Sequence, residues 1–516
     1  MTPLYRRFAF VLLLACASCA IVFAVGREKN GGEAGLPAGR PPRIHPDYSG
    51  SVIPPNIAPM NFRVMEKSAR FRVSIRSTRG RPILLEGRSP DVVIPEKPWH
   101  ALLESNRGED LLFEVSAKGS DGGWNRYQAV SNRIAGEDID GTLVYRKIHP
   151  SHNSWRSMGL YQRDLRTFEE TAILTNDRYA TGCAHCHSFL ANRADRLSVD
   201  VRKSDYANFN SAQLILEGDR VTKLENIVGF TAWHPSGRML ACTVNKTGLI
   251  LHTARNEMRD IVDRDSWIGY FFLDSLKIKT APALSRKDWL ENYPAWSPDG
   301  RTLYFSAVKM PWTDKNPVPP EHYEDVKYNL VRIRYDIESD RWGELESVLL
   351  AKDTGRSMNQ PRISPDGRWL TFNGCDYSCW PSYHTDADLY IVDLQKAAET
   401  GRFECRKMEI NTEQCESWHT WSSNSRWIVF SSKKDNPLFN RSYVTYVHGD
   451  GTLSKAFVIP QKDPMFYESY PKTYTIPELV TGPVKVRGEK LAKVIRGTDR
   501  ITLDMAITSA SPKTEQ

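Results

Sequence analysis

A mainly β fold is predicted for this 516-residue chain: a β-propeller of five to six blades, preceded by a β-sandwich-like domain and a short segment with chemistry of its own. Three observations predict it. A hairpin-turn motif recurs four times within residues 201–475, short alternating apolar runs fill residues 59–150, and C-x-x-C-H occurs once, at Cys183, Ala184, His185, Cys186 and His187.

Residues 1–25 carry Arg6 and Arg7, then an apolar run from Phe8 to Val25 broken only by Ser18. This is an export signal, longer than a usual signal core and close to a membrane span. Cleavage would give a free protein, and retention an N-terminal anchor with the arginines inside. Leu13-Leu14-Ala15-Cys16 loosely matches a lipidation box. Each outcome places the body outside the cytoplasm, in the periplasm or on the outer face of the inner membrane, where disulfides persist. Residues 26–58 are rich in Gly and Pro and predict an extended linker.

Between 59 and 150, runs such as Phe71–Ile75, Val92–Ile94 and Leu111–Val115 alternate between turn clusters such as Gly119-Ser120-Asp121-Gly122-Gly123, the pattern of a small antiparallel sandwich. The segment 151–200 holds one short helix at most and the C-x-x-C-H motif. In that motif two thiols form thioethers with haem vinyl groups and the imidazole becomes an axial iron ligand. Nine Cys and twelve His would produce it by chance in roughly 0.4% of chains of this length. A zinc site wants a second ligand pair at suitable spacing, and a thioredoxin-like pair wants a βαβ setting. Neither surrounds it. One covalent haem c is therefore expected, on Cys183, Cys186 and His187. The segment is too short to form its own pocket, so the neighbouring domains must enclose the haem.

Repeats decide the architecture of 201–475. Pro294-Ala295-Trp296-Ser297-Pro298-Asp299-Gly300-Arg301 is the most regular copy; the others are Ala232–Arg238, Arg362–Arg368 and Thr420–Arg426, at intervals of 63, 67 and 58 residues. Each copy is an apolar strand, a tight S-P-D-G turn in which Gly supplies positive φ, and a returning strand. Outer strands are expected at Tyr328–Tyr335 and Asp388–Leu394, and the outer pair of a further blade at Ala212–Leu216 and Arg220–Leu224. That makes five blades, and six if the N-terminal region or the tail at 476–516 donates strands. The last turn has Asn424-Ser425 where Asp-Gly is usual, which weakens its signal.

A net charge of +7, from 69 basic and 62 acidic residues without a basic block, excludes a nucleic-acid-binding surface. Outside the signal and the motif five Cys remain; Cys375 with Cys379 and Cys405 with Cys415 could close short disulfide loops, leaving Cys242 a buried free thiol, or all could be reduced.

The S-P-D-G-R hairpins resemble TolB-like (WD40-like) propellers of the bacterial envelope. The longer pattern, from Tyr48 through MGLYQRDL, CAHCHSF, the Thr231 hairpin, YHTDADLYIVDL and the Glu416 hairpin to Pro460, resembles exported proteins of the Bacteroidetes and Planctomycetes type that join one haem c site to such a propeller. The resemblance implies an exported haem and propeller protein and brings no settled activity; fold analogy carries none by itself.

With His187 proximal, the sixth coordination position decides function: a Met or His saturates the iron for electron transfer, whereas an open position permits small-molecule chemistry. Met158, His234, His384 and His419 are the candidate distal ligands, each equally readable as a core or turn residue. His185 is expected to face outward. Arg163, Arg166 or Arg178 could hold the propionates. Trp418, Trp421 and Trp427 are expected in blade cores. No serine-nucleophile or phosphate-loop motif requires an enzyme. The leading expectation is a monohaem electron carrier or redox sensor whose propeller docks a redox partner protein. The alternatives are a haem-dependent oxidoreductase with an open iron facing the funnel, and an envelope scaffold with a structural haem.

Overall fold

The computed structural model describes residues 35–150, 157–179, 182–202, 211–225, 229–252, 257, 259–275, 277–499, 501–502 and 504–505. The expected export signal at 1–25 lies outside them, and no described helix is long and apolar enough to cross a membrane.

The chain is mainly β. Among the described residues six sets of strands follow one another, and the innermost strand of each adjoins that of the next until the ring closes. Sheet I consists of Thr142–Ile148, Gly159–Asp164 and Glu170–Thr175, with Thr473–Val480 added as its innermost strand. Sheet II runs Cys183–Phe189, Arg196–Arg202, Ser211–Glu217, Arg220–Glu225. Sheet III runs Thr231–Trp233, Met239–Leu251, Arg259–Phe272. A single parallel pair, Ser266 with Leu290, joins it to sheet IV: Trp289–Trp296, Thr302–Lys309, Asn329–Asp336, Arg341–Leu349. Sheets V and VI begin at Ser357–Ile363 and Glu416–Trp421.

The hairpin turns form as their residues dictate. Ser297 Oγ and Asp299 Oδ1 are 2.5 Å apart, Thr302 N donates to Ser297 Oγ (3.0 Å), Arg301 N donates to Asp299 Oδ1 (3.0 Å), and Gly300 has φ +72°. The Ser364 turn repeats this with Gly367 at +76°. At the irregular copy Asn424 Oδ1 replaces the Asp carboxylate, accepting from Arg426 N at 3.1 Å, and Ser425 adopts φ +60°. The substitution is used: Asn424 Nδ2 donates to Asp138 O (2.7 Å), a bond an Asp could not make, and Ser425 Oγ accepts from Asp366 N (2.9 Å).

Three expectations are corrected. The stretch expected as a linker is packed from residue 36 onward: Leu36–Pro37 and Val52–Ile53 pair into the N-terminal sheet, and Tyr48, Ile53 and Ile57 are core. With strands from 36–53, the 59–150 region forms a seven-stranded sheet, a three-stranded one and a helix, Glu96–Ser105, whose Trp99 is buried and donates Nε1 to Ile57 O (2.9 Å), while its last strand, Thr142–Ile148, belongs to sheet I. Its apolar core is continuous with that of sheet VI, where Tyr48 meets Phe457. The segments expected at 151–200 and 476–516 are likewise not separate. Their residues supply strands of sheets I and II, and the helix Gly488–Arg496 packs by Leu491, Ala492 and Ile495 into the same cluster as Val199 and Val201. The closing strand lacks the S-P-D-G turn, because its partner Thr142–Ile148 comes from more than 300 residues earlier in the chain.

Candidate haem site at the axis

Every innermost strand except Thr231–Trp233 of sheet III is interrupted by a bulge at the same step. The ladder slips between Asn292 and Ala295, Asn359 and Arg362, Ser417 and Thr420, and Ala184 and His187. Opposite Thr475 to Glu478 it slips likewise. Two residues leave the ladder each time. The first is left-handed at Tyr293 (+55°), Gln360 (+55°), Trp418 (+52°) and Ile476 (+53°). The second is Pro294, Pro361, His419 or Pro477, and in sheet II it is Cys186. Proline suits this position because the bulged residue has no ladder partner for an N–H. The C-x-x-C-H motif thus lies on the innermost strand of sheet II, with its second thiol at the position of His419.

After the bulge the strands present His187, Ala295, Arg362, Thr420 and Glu478, and the unbulged strand has Ala232 at the matching position. All but His187 line a cavity of about 360 Å³, which reaches Ser188 and Phe189 immediately after His187. On the other side of the bulges, Cys186 packs against Phe230, Tyr293, Trp380, Trp418 and Ile476.

His187 is 4% exposed, and both its ring nitrogens are buried without a hydrogen-bond partner. Burial, with the charges of Arg146 and Arg362 adding, pushes it down to about 3, so the imidazole is neutral. Burial also raises the thiols of Cys183 and Cys186. Asp200, opposite the bulge, is driven up to about 7 by burial against the opposing pull of Arg202. No disulfide joins the described cysteines. A neutral imidazole with both nitrogens unpartnered, following two cysteines at the attachment spacing, fits a covalently held haem.

The distal candidates separate. His419 matches His187 most closely: both nitrogens are buried and unpartnered, and burial and Arg362 hold it down to about 3. The Thr371 backbone opposes this weakly, without hydrogen-bond geometry. His234 is corrected to a turn residue. It stands where Ser297 stands in the next hairpin, with Nδ1 2.8 Å from Ser236 Oγ and Nε2 3.0 Å from Gly300 O, so neither nitrogen is spare. His384 Nε2 is buried without a hydrogen-bond partner, 3.4 Å from Asp260 Oδ1, and the ring stands edge-on to Tyr377. Met158 is buried at the edge of sheet I, its backbone tied to Asn176. The side chain of His185 lies outside the described residues.

The expected propionate arginines are engaged or displaced. Arg163 donates to Gln461 and Pro460, Arg178 pairs with Glu489, and the charge of Arg166 acts on His100. The arginines whose charges reach His187 are Arg146 and Arg362, which sequence reasoning missed. Aligning the repeats could have found Arg362: Ala232-Trp233, Ala295-Trp296 and Thr420-Trp421 stand where sheet V has Arg362-Ile363. Neither of the two candidate disulfide loops is formed: Cys375 packs with Ala387 and Cys415, while Cys379 joins the axial aromatic cluster. Cys242 is buried, its thiol raised to about 12 by burial.

No family model matches the chain. No curated protein matches it either. Among solved structures it is similar to an oligogalacturonate lyase in complex with manganese (12% identity, 75% of this chain and 99% of that one, TM-score 0.34). Others are an oligogalacturonate lyase from Vibrio parahaemolyticus (13%, 66% and 88%, 0.32) and prolyl oligopeptidase B from Galerina marginata (10%, 67% and 42%, 0.34). Similarities this slight carry nothing about activity, and the fold rests on the chain's own ring of sheets.

Proposed function

We propose that this chain is an exported monohaem c-type cytochrome on a TolB-like, six-bladed propeller, passing electrons or sensing redox state, with the propeller as the surface for a redox partner protein. The observation that carries this is His187, the histidine of C-x-x-C-H, buried at the axis with both ring nitrogens unpartnered. Cys183 and Cys186 would hold the porphyrin and His187 its iron; bound there, the haem would supply one-electron chemistry. The chain's part is to keep His187 neutral by burial, to exclude water on the Cys186 side with Phe230, Tyr293, Trp380 and Trp418, and to set positive charge nearby through Arg146 and Arg362. His419 would be the sixth ligand, because it alone of the four candidates has two buried nitrogens without partners.

Expression in a host with haem c maturation should give covalent haem that is lost in Cys183→Ala with Cys186→Ala, measured by the pyridine haemochrome spectrum. Covalent haem in the double variant, or none in the wild type, would sink the proposal. In the reduced state a saturated iron ignores carbon monoxide, and His419→Ala should then bind it. Rapid carbon monoxide binding by the wild type would favour instead an open-iron oxidoreductase, for which the cavity reaching Ser188 provides access.

A further inference from the structure

We infer that the axial cavity is a binding site for a small aromatic carboxylate. Its floor is Ala232, Ala295, Arg362, Thr420 and Glu478, of which only Arg362 and Glu478 are charged. Glu478 is 9% exposed, and its Oε1 has no partner. Arg362 Nε is also buried and unpartnered, and no ion pair within 4 Å joins the two among the described residues. A buried guanidinium edge left unsatisfied costs free energy unless something enters to accept from it. The planar fork of Arg matches the two oxygens of a carboxylate.

The sign of the ligand follows from the field. Arg362 is the one basic residue among those that line the cavity, and its buried Nε has no partner, so an anion is the ligand it would attract. Burial raises Glu478 to about 7 while the charge of Arg362 and the Phe189 backbone draw it down, so near neutral pH its carboxyl is in part protonated and can donate a hydrogen bond to an entering anion. The walls select the rest of the molecule. Phe189, Trp233, Trp296 and Trp421 line the cavity, and aromatic faces favour a flat apolar body. The rim is stiff: Pro235, Pro298 and Pro365 occupy one position in three successive hairpins. A preformed cavity of this size admits a single-ring acid.

This inference does not rest on the haem, and its test separates the two. Benzoate, with benzamide as its neutral isostere, is titrated calorimetrically into the full-length protein as matured and into the Cys183→Ala, Cys186→Ala variant. Benzoate should bind both with a Kd below about 1 mM, at least tenfold tighter than benzamide. Arg362→Gln should lose tenfold or more, Arg362→Lys less, and Glu478→Gln should bind at least as well as wild type. Circular dichroism reports whether each variant is folded; should Arg362→Gln unfold, the ranking of Arg362→Lys below wild type decides. Equal binding of benzoate and benzamide, or indifference to Arg362, overturns the site. Benzoate binding only by the haem-free variant would also overturn it, since Arg362 would then belong to the haem.

Discussion

The two ends of the propeller axis are built from the same strands and finished in opposite ways. On the Cys186 side the hairpin of Met239–Leu251 and Arg259–Phe272 is far longer than the others and folds over the axis. Ile250 and Val262 from it enter the aromatic cluster with Phe230, Tyr293, Trp380 and Trp418. Polar contacts pin it to sheets V and VI: Ser378 Oγ donates to Ile261 O (2.9 Å), Arg259 lies over the Tyr383 ring (4.7 Å), and Lys433 pairs with Glu257 (2.5 Å). On the other side the strands end at the S-P-D-G turns and leave a cavity floored by Arg362 and Glu478. His187 sits between the two. The haem proposed above would gain from such asymmetry, since control over iron is exerted by burial on one side and access or a sixth ligand on the other.

The sharpest break in this comparison is truncation of the sealed end. Trp418→Ala removes a buried indole from a cluster with no solvent to fill the gap, and should cost about 3 to 5 kcal/mol in urea unfolding. Ala295→Val at the open end adds methyl groups to free space and should change stability by no more than about 1 kcal/mol. Similar losses at the two ends would mean that the cavity side is packed as tightly as the aromatic side.

How much of this was readable in the chain depends on sequence distance. The S-P-D-G turns were legible because six adjacent residues contain their whole physics: a serine hydroxyl, an aspartate and a glycine satisfy each other. C-x-x-C-H was legible for the same reason. The floor was not. Arg146 and Arg362, from sheets I and V, act on His187, and Arg362 on Glu478 of sheet I, only because Thr473–Val480 closes a ring begun at Thr142. His234 misled because its sequence neighbourhood resembles that of His419; only the bonds to Ser236 and Gly300 reveal it as a stand-in for the turn serine.

A smaller effect sharpens the contrast through pH. Glu478 is raised from the ordinary carboxylate range to about 7 by burial, so the folded state holds its proton more tightly than the unfolded one. Its stabilising contribution is full below about pH 4 and is lost as pH rises toward 7, a few kcal/mol at most by linkage. Glu478→Gln should abolish that slope. The stability difference between variant and wild type, followed by urea unfolding from pH 4.5 to 8, should therefore grow in the variant's favour by about 2 kcal/mol. His187 and His419 are depressed and act oppositely, adding stability as pH rises through the histidine range, but they are present in both proteins and cancel from the difference. A flat difference would place Glu478 in contact with water and remove it from the floor.

The smallest expected effect lies outside the axis, where sheet VI meets the N-terminal domain. Restoring the usual turn residue, Asn424→Asp, keeps the acceptor for Arg426 N but deletes the donor to Asp138 O. It also brings a carboxylate toward Asp140, which already accepts from Ser423 N and Oγ (2.7 and 2.6 Å). The turn itself should be as good or better, since Asp suits it in the other two copies. Any loss, about 1 kcal/mol, therefore measures the docking of the domain onto the propeller rather than the hairpin. That loss should shrink when Asp138 and Asp140 are both replaced by Asn, because the repulsion goes with their charges while the turn is untouched. A loss that persists unchanged would assign it to the missing amide hydrogen bond alone.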